Sequence, residues 1–133
     1  MSDYSFDNLS PVDFEILARD LAQAELKVRF ETFKAGPDKG IDFRCCQDLN
    51  HKIIIQCKHY FETGFKGLYQ ELVAESAKLK DIDPERYLLV TSVPLSVAQK
   101  DKIFLLFKPF IKSTGDIWGK GDINNLLRLH PKI

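Results

Sequence analysis

A run of apolar residues, Tyr87-Leu88-Leu89-Val90, limits the possible folds of this 133-residue chain more than any other feature. The run is continuous instead of alternating, as is typical of a strand inside a sheet that is covered on both faces. Helices on both sides of a sheet supply such cover, so the run predicts an α/β domain with residues 86–92 in its interior. A chain of this size can bury roughly 65–70% of the surface that its unfolded form exposes, which suffices for one core without disulfides.

Four segments carry the signals of helices. Residues 10–13 (SPVD) combine a capping side chain, an early proline and a carboxylate, which predicts a helix from there to about Leu26. Apolar residues at three- and four-residue spacings predict a second helix over residues 64–80. Ser96 opens a third helix with a capping-box pattern, and Asp122 is predicted to cap a fourth.

Extended segments occupy much of the remaining chain. The first begins at Lys27 and closes at the turn signal of residues 36–37 (GP), and two more cover residues 41–47 and 52–58. Residues 117–118 (IW) predict a short edge strand. The predicted order of the main elements is therefore α-β-β-β-α-β-α, a central mixed sheet flanked by helices.

The hairpin formed by the second and third extended segments brings three polar side chains together. If residues 48–50 (DLN) form a three-residue loop, the strand register places Asp42 directly opposite Gln56. Opposed residues on neighbouring strands point to the same face, and Lys58 projects from that face too because it lies two residues beyond Gln56. A carboxylate, an amide oxygen and an ammonium group are thus predicted to meet.

These three groups suit metal-assisted chemistry on phosphate. A carboxylate beside an amide oxygen offers the hard ligands that Mg²⁺ prefers, while the ion keeps several waters, one of which can act as nucleophile. Lys58 can orient that water or stabilise negative charge that develops at phosphorus. The pattern predicts phosphodiester hydrolysis. The alternative is a solvated polar sheet face with a surface ion pair worth about 0–1 kcal/mol.

Residues 36–43 (GPDKGIDF) and 54–60 (IIQCKHY) resemble the Mrr-type branch of the PD-(D/E)xK restriction-endonuclease-like nucleases, including its Gln where the wider superfamily has Asp or Glu. The resemblance implies a restriction-endonuclease-like fold in which Asp42 and Gln56 bind Mg²⁺ and Lys58 is the catalytic lysine. It also implies that Glu15, in the first helix, is an additional catalytic acid.

The Gln at position 56 leaves the expected site short of negative charge, because a neutral amide binds a divalent cation less strongly than a carboxylate does. Another acid is expected to supply that charge, and Glu15 and Glu75 are the candidates. Each has an ordinary alternative on a helix surface. Glu15 can pair with Arg19 four residues later, and Glu75 can form an exposed pair with Lys78.

Residues 86–92 (RYLLVTS) and 122–127 (DINNLL) further resemble the nuclease domains at the N-terminus of large STAND-type antiphage NTPases. This resemblance implies that residues 1–133 are a single nuclease domain excised from a larger protein. The expected activity is Mg²⁺-dependent endonucleolytic cleavage of double-stranded DNA in bacterial antiviral defence. The expected partners are DNA and further copies of the protein, joined through the rest of the full-length chain.

Charge, hydropathy and cysteine spacing indicate how strongly the domain binds DNA, where it is located and whether its cysteines are reduced. Lysine plus arginine equals aspartate plus glutamate, at 19 each, so a free-standing domain is expected to bind DNA weakly. No stretch is long and apolar enough to span a bilayer and no export signal is visible, so a cytoplasmic location is expected. Three cysteines without metal-binding spacing are expected to be reduced. A catalytically inactive nucleic-acid-binding or oligomerisation module, and RNA as the substrate, remain alternatives.

Overall fold

The computed structural model describes residues 6, 8–29, 31–32, 43–46, 52–59 and 64–133. Within these ranges the strands form one five-stranded mixed sheet in the order β1-β2-β3-β4-β5. The elements follow each other along the chain as α1 (Pro11–Leu26), β1 (Glu31–Thr32), β2 (Phe43–Cys46), β3 (Lys52–Lys58), α2 (Gly64–Ile82), β4 (Arg86–Thr91), α3 (Val97–Phe107), a 3₁₀ turn (Thr114–Asp116), β5 (Ile117–Trp118) and α4 (Lys120–Leu129). This is the predicted α/β order.

The sheet changes direction at β3. The pairs β1–β2 and β2–β3 are antiparallel, whereas β3, β4 and β5 run parallel to one another. In β4, which lies between β3 and β5, Tyr87 is 1% exposed and Leu88, Leu89 and Val90 are fully buried. The apolar run is therefore an interior strand, as its continuous pattern predicts, and residues 117–118 form the expected short edge strand.

Helices cover both faces of the sheet and create two cores. On one face, α1 and α4 bury Phe14 and Ile123 against Ile55 of β3. On the other face, α2 and α3 pack around Ile54 of β3 together with Leu68. Since consecutive residues of a strand point to opposite faces, Ile54 and Ile55 each belong to a different core. Shortening either one to Val costs about 0.5–1.5 kcal/mol in the usual case.

Local capping explains where the helices begin. The side chain of Ser10 accepts a hydrogen bond from the backbone N–H of Asp13, at 3.1 Å, and Ser96 and Gln99 form a reciprocal capping box. The prediction that Asp122 is the N-cap of α4 is wrong, because α4 begins at Lys120 with Gly119 as its N-cap. Asp122 Oδ2 instead reaches back and accepts a hydrogen bond from the N–H of Gly119 at 2.9 Å.

The described part of the chain also bears on the cysteines and on membrane-spanning helices. Cys57 is a buried free thiol in β3, whereas the side chains of Cys45 and Cys46 lie outside the described set. Each described helix is too short or too polar to cross a membrane.

Candidate functional site

The register of the β2–β3 hairpin matches the prediction. Phe43 lies opposite Ile55 and Arg44 lies opposite Ile54. This is the pairing that a three-residue loop at residues 48–50 produces. The loop itself and Asp42, the predicted carboxylate ligand, lie outside the described residues.

Gln56 lies in β3 on the sheet face that α2 and α3 cover. Gln56 is only 3% exposed, so it is not part of a solvated polar sheet face, which was the alternative to a metal site. The Oε1 atom of Gln56 accepts a hydrogen bond from the hydroxyl group of Tyr87 in the neighbouring strand β4. A buried amide requires such partners, because an unpaired polar group inside a protein costs about 1–3 kcal/mol.

Lys58 ends β3 and projects from the same face as Gln56. Its Nζ lies 3.5 Å from Glu75 Oε1 and 4.0 Å from Glu71 Oε1. Both carboxylates belong to α2, where residues four apart share one face of the helix. The Lys58 side chain is 14% exposed, so most of it is withdrawn from solvent.

Glu75 differs from the exposed surface residue that its pairing pattern suggests. Lys78 does approach it, with Nζ 3.7 Å from Oε2, but the Glu75 side chain is only 12% exposed. Among the described residues, no donor lies within hydrogen-bonding distance of the buried Oε2 atom. The Glu75–Lys78 pair is therefore present, but Glu75 is not exposed, because this turn of α2 lies against the end of β3 and Glu75 also pairs with Lys58.

Glu15 lies on α1, the helix that covers the opposite face of the sheet, and it is half-buried. It follows Phe14, whose ring stacks on His59 with centroids 4.8 Å apart and an interplanar angle of 14°. His59 directly follows Lys58 in the chain. The turn of α1 that carries Glu15 is therefore attached next to the end of β3.

His59 makes this attachment through hydrogen bonds as well as stacking. Its Nε2 lies 2.8 Å from the carbonyl oxygen of Leu9, and its Nδ1 lies 2.8 Å from Ser92 Oγ. A carbonyl can only accept, so Nε2 donates to it, and in the neutral ring Nδ1 accepts from the Ser92 hydroxyl. Sequence reasoning assigned no role to His59, because its partners are distant in the chain and no local pattern identifies them.

The oxygen atoms in this region are hard ligands. Gln56 contributes an amide oxygen and Glu75 a carboxylate, the donor types that Mg²⁺ prefers. The described part of the chain contains no group of three or more His, Cys, Asp and Glu residues that could hold a metal ion. The donor types of Gln56 and Glu75 fit a hard divalent cation, but the described residues do not form a complete ligand set.

The other end of the sheet carries a structural ion pair. Arg86, the first residue of β4, donates two hydrogen bonds to the carboxylate of Asp116, at 2.8 and 3.1 Å. This hydrogen bonding raises the pKa of the Arg86 guanidinium group above its usual value. Arg86 also lines a cavity of about 350 Å³ together with Trp118 and Glu25. The pair joins β4 to the turn before β5, at the opposite end of β4 from the strand end beside Lys58.

Comparison with known proteins identifies a family that has this fold, and the matched region includes both motif segments. A family model described as "Mrr_cat: Restriction endonuclease" matches residues 6–92. The chain is also 44% identical over 130 residues to "Uncharacterized protein y4cD" of Sinorhizobium fredii (strain NBRC 101917 / NGR234). That match covers 98% of this chain but 20% of the relative, so the chain spans about a fifth of the relative's length. The chain therefore belongs to the Mrr-type restriction endonuclease family and is a PD-(D/E)xK nuclease-like domain with a restriction-endonuclease-like fold.

Proposed function

We propose that this domain is a Mg²⁺-dependent endonuclease that hydrolyses phosphodiester bonds in double-stranded DNA. The observation that carries the proposal is the arrangement at the end of β3. Gln56 and Lys58 share one face of the sheet, and the described β2–β3 pairs include Phe43 opposite Ile55. One further residue in the same register would set Asp42 opposite Gln56. A carboxylate, an amide oxygen and an ammonium group in this order suit hydrolysis at phosphorus.

Each residue has a distinct role in the proposed reaction. Asp42 and Gln56 would hold the cation, which when bound neutralises charge on the phosphate and activates water. Lys58 stabilises the negative charge that grows on the phosphate oxygens while the water oxygen bonds to phosphorus and the bond to the leaving sugar oxygen breaks. Glu15 is the additional carboxylate that assists the cation or the attacking water.

Cleavage of plasmid and linear duplex DNA tests this function. We expect products with Mg²⁺ and none with EDTA, and we expect Lys58→Ala and Asp42→Ala each to abolish the EDTA-sensitive cleavage. Lys132→Ala is the matched control, because Lys132 is exposed near the C-terminal end of the described chain. Circular dichroism and melting curves check that each variant is folded. Unchanged cleavage in Lys58→Ala or Asp42→Ala would reject the proposed site.

A catalytically inactive binding or oligomerisation module is the second candidate. The observation that favours it is Gln56, a neutral residue whose amide oxygen already accepts a hydrogen bond from Tyr87. The DNA-cleavage assay, combined with a gel-shift measurement of DNA binding, distinguishes the nuclease from the inactive module. Binding of DNA without cleavage at any Mg²⁺ or Mn²⁺ concentration would support the inactive module. Cleavage of RNA and not of DNA would show that RNA is the substrate.

We further propose that residues 1–133 are one nuclease domain of a longer protein, active in the cytoplasm in defence against phage and related in arrangement to STAND-type NTPases. The length of the relative supports this, since the chain matches 20% of it. A formal net charge of zero gives an isolated domain little attraction for duplex DNA. We expect the full-length protein to oligomerise and to cleave DNA faster than the dilute domain. Equal rates for both would contradict the dependence on assembly.

A further inference from the structure

Two acidic residues of α2 face Lys58, and they are not equivalent. Glu75 Oε1 is 3.5 Å from the Lys58 Nζ and the Glu75 side chain is 12% exposed, whereas Glu71 Oε1 is 4.0 Å away and its side chain is 45% exposed. Charges that are withdrawn from water interact more strongly than exposed charges, because solvent screens them less. The contact with Glu75 therefore dominates the surroundings of the ammonium group.

Core packing determines where the Glu75 carboxylate lies. Leu72 and Leu79, one turn before and one turn after Glu75 on α2, are buried in the core that this helix forms against the sheet. Lys58 is placed independently, because the ladder between β3 and β4 pairs it with Thr91. The carboxylate and the ammonium group thus meet through two separately held elements.

Glu75 also retains unused acceptor capacity. Its Oε2 atom is buried and has no hydrogen-bond partner among the described residues, and Lys78 Nζ stands 3.7 Å from it. A buried carboxylate oxygen left in this way lowers stability unless it is balanced elsewhere. The attraction of Lys58 and Lys78 offsets this cost.

We propose that Glu75 is a positioning residue that holds the ammonium group of Lys58 at the end of β3, on the face that also carries Gln56. The inference rests on the proposed function, since it concerns the lysine assigned to phosphate chemistry. Without the carboxylate, Lys58 can adopt several rotamers and its Nζ no longer occupies one place. A misplacement of about 1 Å near a reacting group can reduce a rate by about a hundredfold.

The test compares Glu75→Gln with Glu71→Gln, a matched control that removes the same charge from the same helix face. Two quantities are measured: the kcat and KM of DNA cleavage, and the ¹⁵N NMR signal of the Lys58 ammonium group. In an ion pair this group exchanges its hydrogens slowly with water, so its signal is visible. We expect Glu75→Gln to lower kcat by about tenfold to a hundredfold with little change in KM, and to remove the Lys58 signal. We expect Glu71→Gln to change kcat less than twofold and to keep the signal.

Other results separate the possible failures. Wild-type kcat and an intact Lys58 signal in Glu75→Gln would overturn this inference while leaving the proposed function in place, as would equal losses in both variants. Cleavage that does not depend on Lys58 would overturn the proposed function itself. If Glu75→Gln does not fold, Glu75→Asp replaces it. That variant keeps the charge on a shorter side chain, and the inference then requires a partial loss of kcat with a weakened Lys58 signal.

Discussion

The imidazole ring of His59 lies nearly parallel to the phenyl ring of Phe14, with centroids 4.8 Å apart. This contact joins the first helix to the end of the strand that carries Lys58. It places the Glu15-bearing turn of α1 beside that strand end, although α1 covers the opposite face of the sheet from Lys58. Residues from two faces of the sheet therefore lie near one end of it.

His59→Phe tests this attachment. The variant keeps an aromatic ring over Phe14 but loses the hydrogen bonds to Leu9 and Ser92. We expect the free energy of unfolding to fall by about 1–3 kcal/mol, because the Leu9 carbonyl and the Ser92 hydroxyl, both in part-buried hydrogen bonds, each lose a partner. Urea denaturation measures the change. His130→Phe is the control, since His130 contacts Glu25 near the surface, and it should change stability by about 0.5 kcal/mol or less. Equal stability for His59→Phe and the wild type would contradict the attachment.

Tyr87→Phe tests the burial of Gln56. The substitution removes the hydroxyl that donates to Gln56 Oε1 and leaves the ring in place, stacked on Phe107 at 5.0 Å. We expect a loss of about 1–3 kcal/mol in the free energy of unfolding, because the buried amide oxygen loses a donor. Thermal and urea unfolding both report it. A variant as stable as the wild type would mean that this hydrogen bond contributes nothing to the fold.

The hairpin register and the interior strand could be predicted from the sequence because both depend on local information. A three-residue loop sets which residues of the two strands face each other, and the pairs Phe43–Ile55 and Arg44–Ile54 confirm it. The continuous apolar run of β4 predicts a strand that is buried on both faces, and β4 is buried in this way. The shared face of Gln56 and Lys58 follows from the two-residue period of a strand.

The contacts around the site could not be predicted in the same way. Glu75 shows a pattern with Lys78 three residues later, which is typical of a helix surface, yet α2 presents it to Lys58. The orientation of α2 about its axis is set by the packing of its leucines in the core, and this orientation turns Glu75 toward Lys58. The local sequence pattern does not contain that information. The helix α4 begins three residues earlier than a helix with Asp122 as its N-cap would, because Asp122 accepts the hydrogen bond of the Gly119 N–H from the third helical position.

The ion pair between Arg86 and Asp116 should stabilise the domain at neutral and alkaline pH alike. Hydrogen bonding to Asp116 raises the pKa of Arg86 in the folded protein, and a raised pKa adds stability at every pH below the value of the unfolded chain. Arginine stays protonated across the accessible range, so this contribution does not titrate.

Asp116→Asn is the variant that measures this contribution. We expect it to lower the free energy of unfolding by about 1 kcal/mol, because the Arg86 side chain is 41% exposed and water screens the pair. The loss should be the same from about pH 6 to about pH 9. Urea denaturation at several pH values gives the comparison. A difference that disappears toward the alkaline end of this range would contradict the assignment, because it would require Arg86 to lose its proton.

The position of the divalent cation tests the account most directly. Mn²⁺ substitutes for Mg²⁺ at oxygen sites, and as a paramagnetic ion it broadens the NMR signals of nearby amides. We predict that substoichiometric Mn²⁺ broadens the signals of Gln56 and Lys58 first in the wild-type domain, and that Asp42→Asn removes this selective broadening. Selective broadening that survives in Asp42→Asn, or that centres on a different part of the chain, would contradict a metal site formed by Asp42 and Gln56.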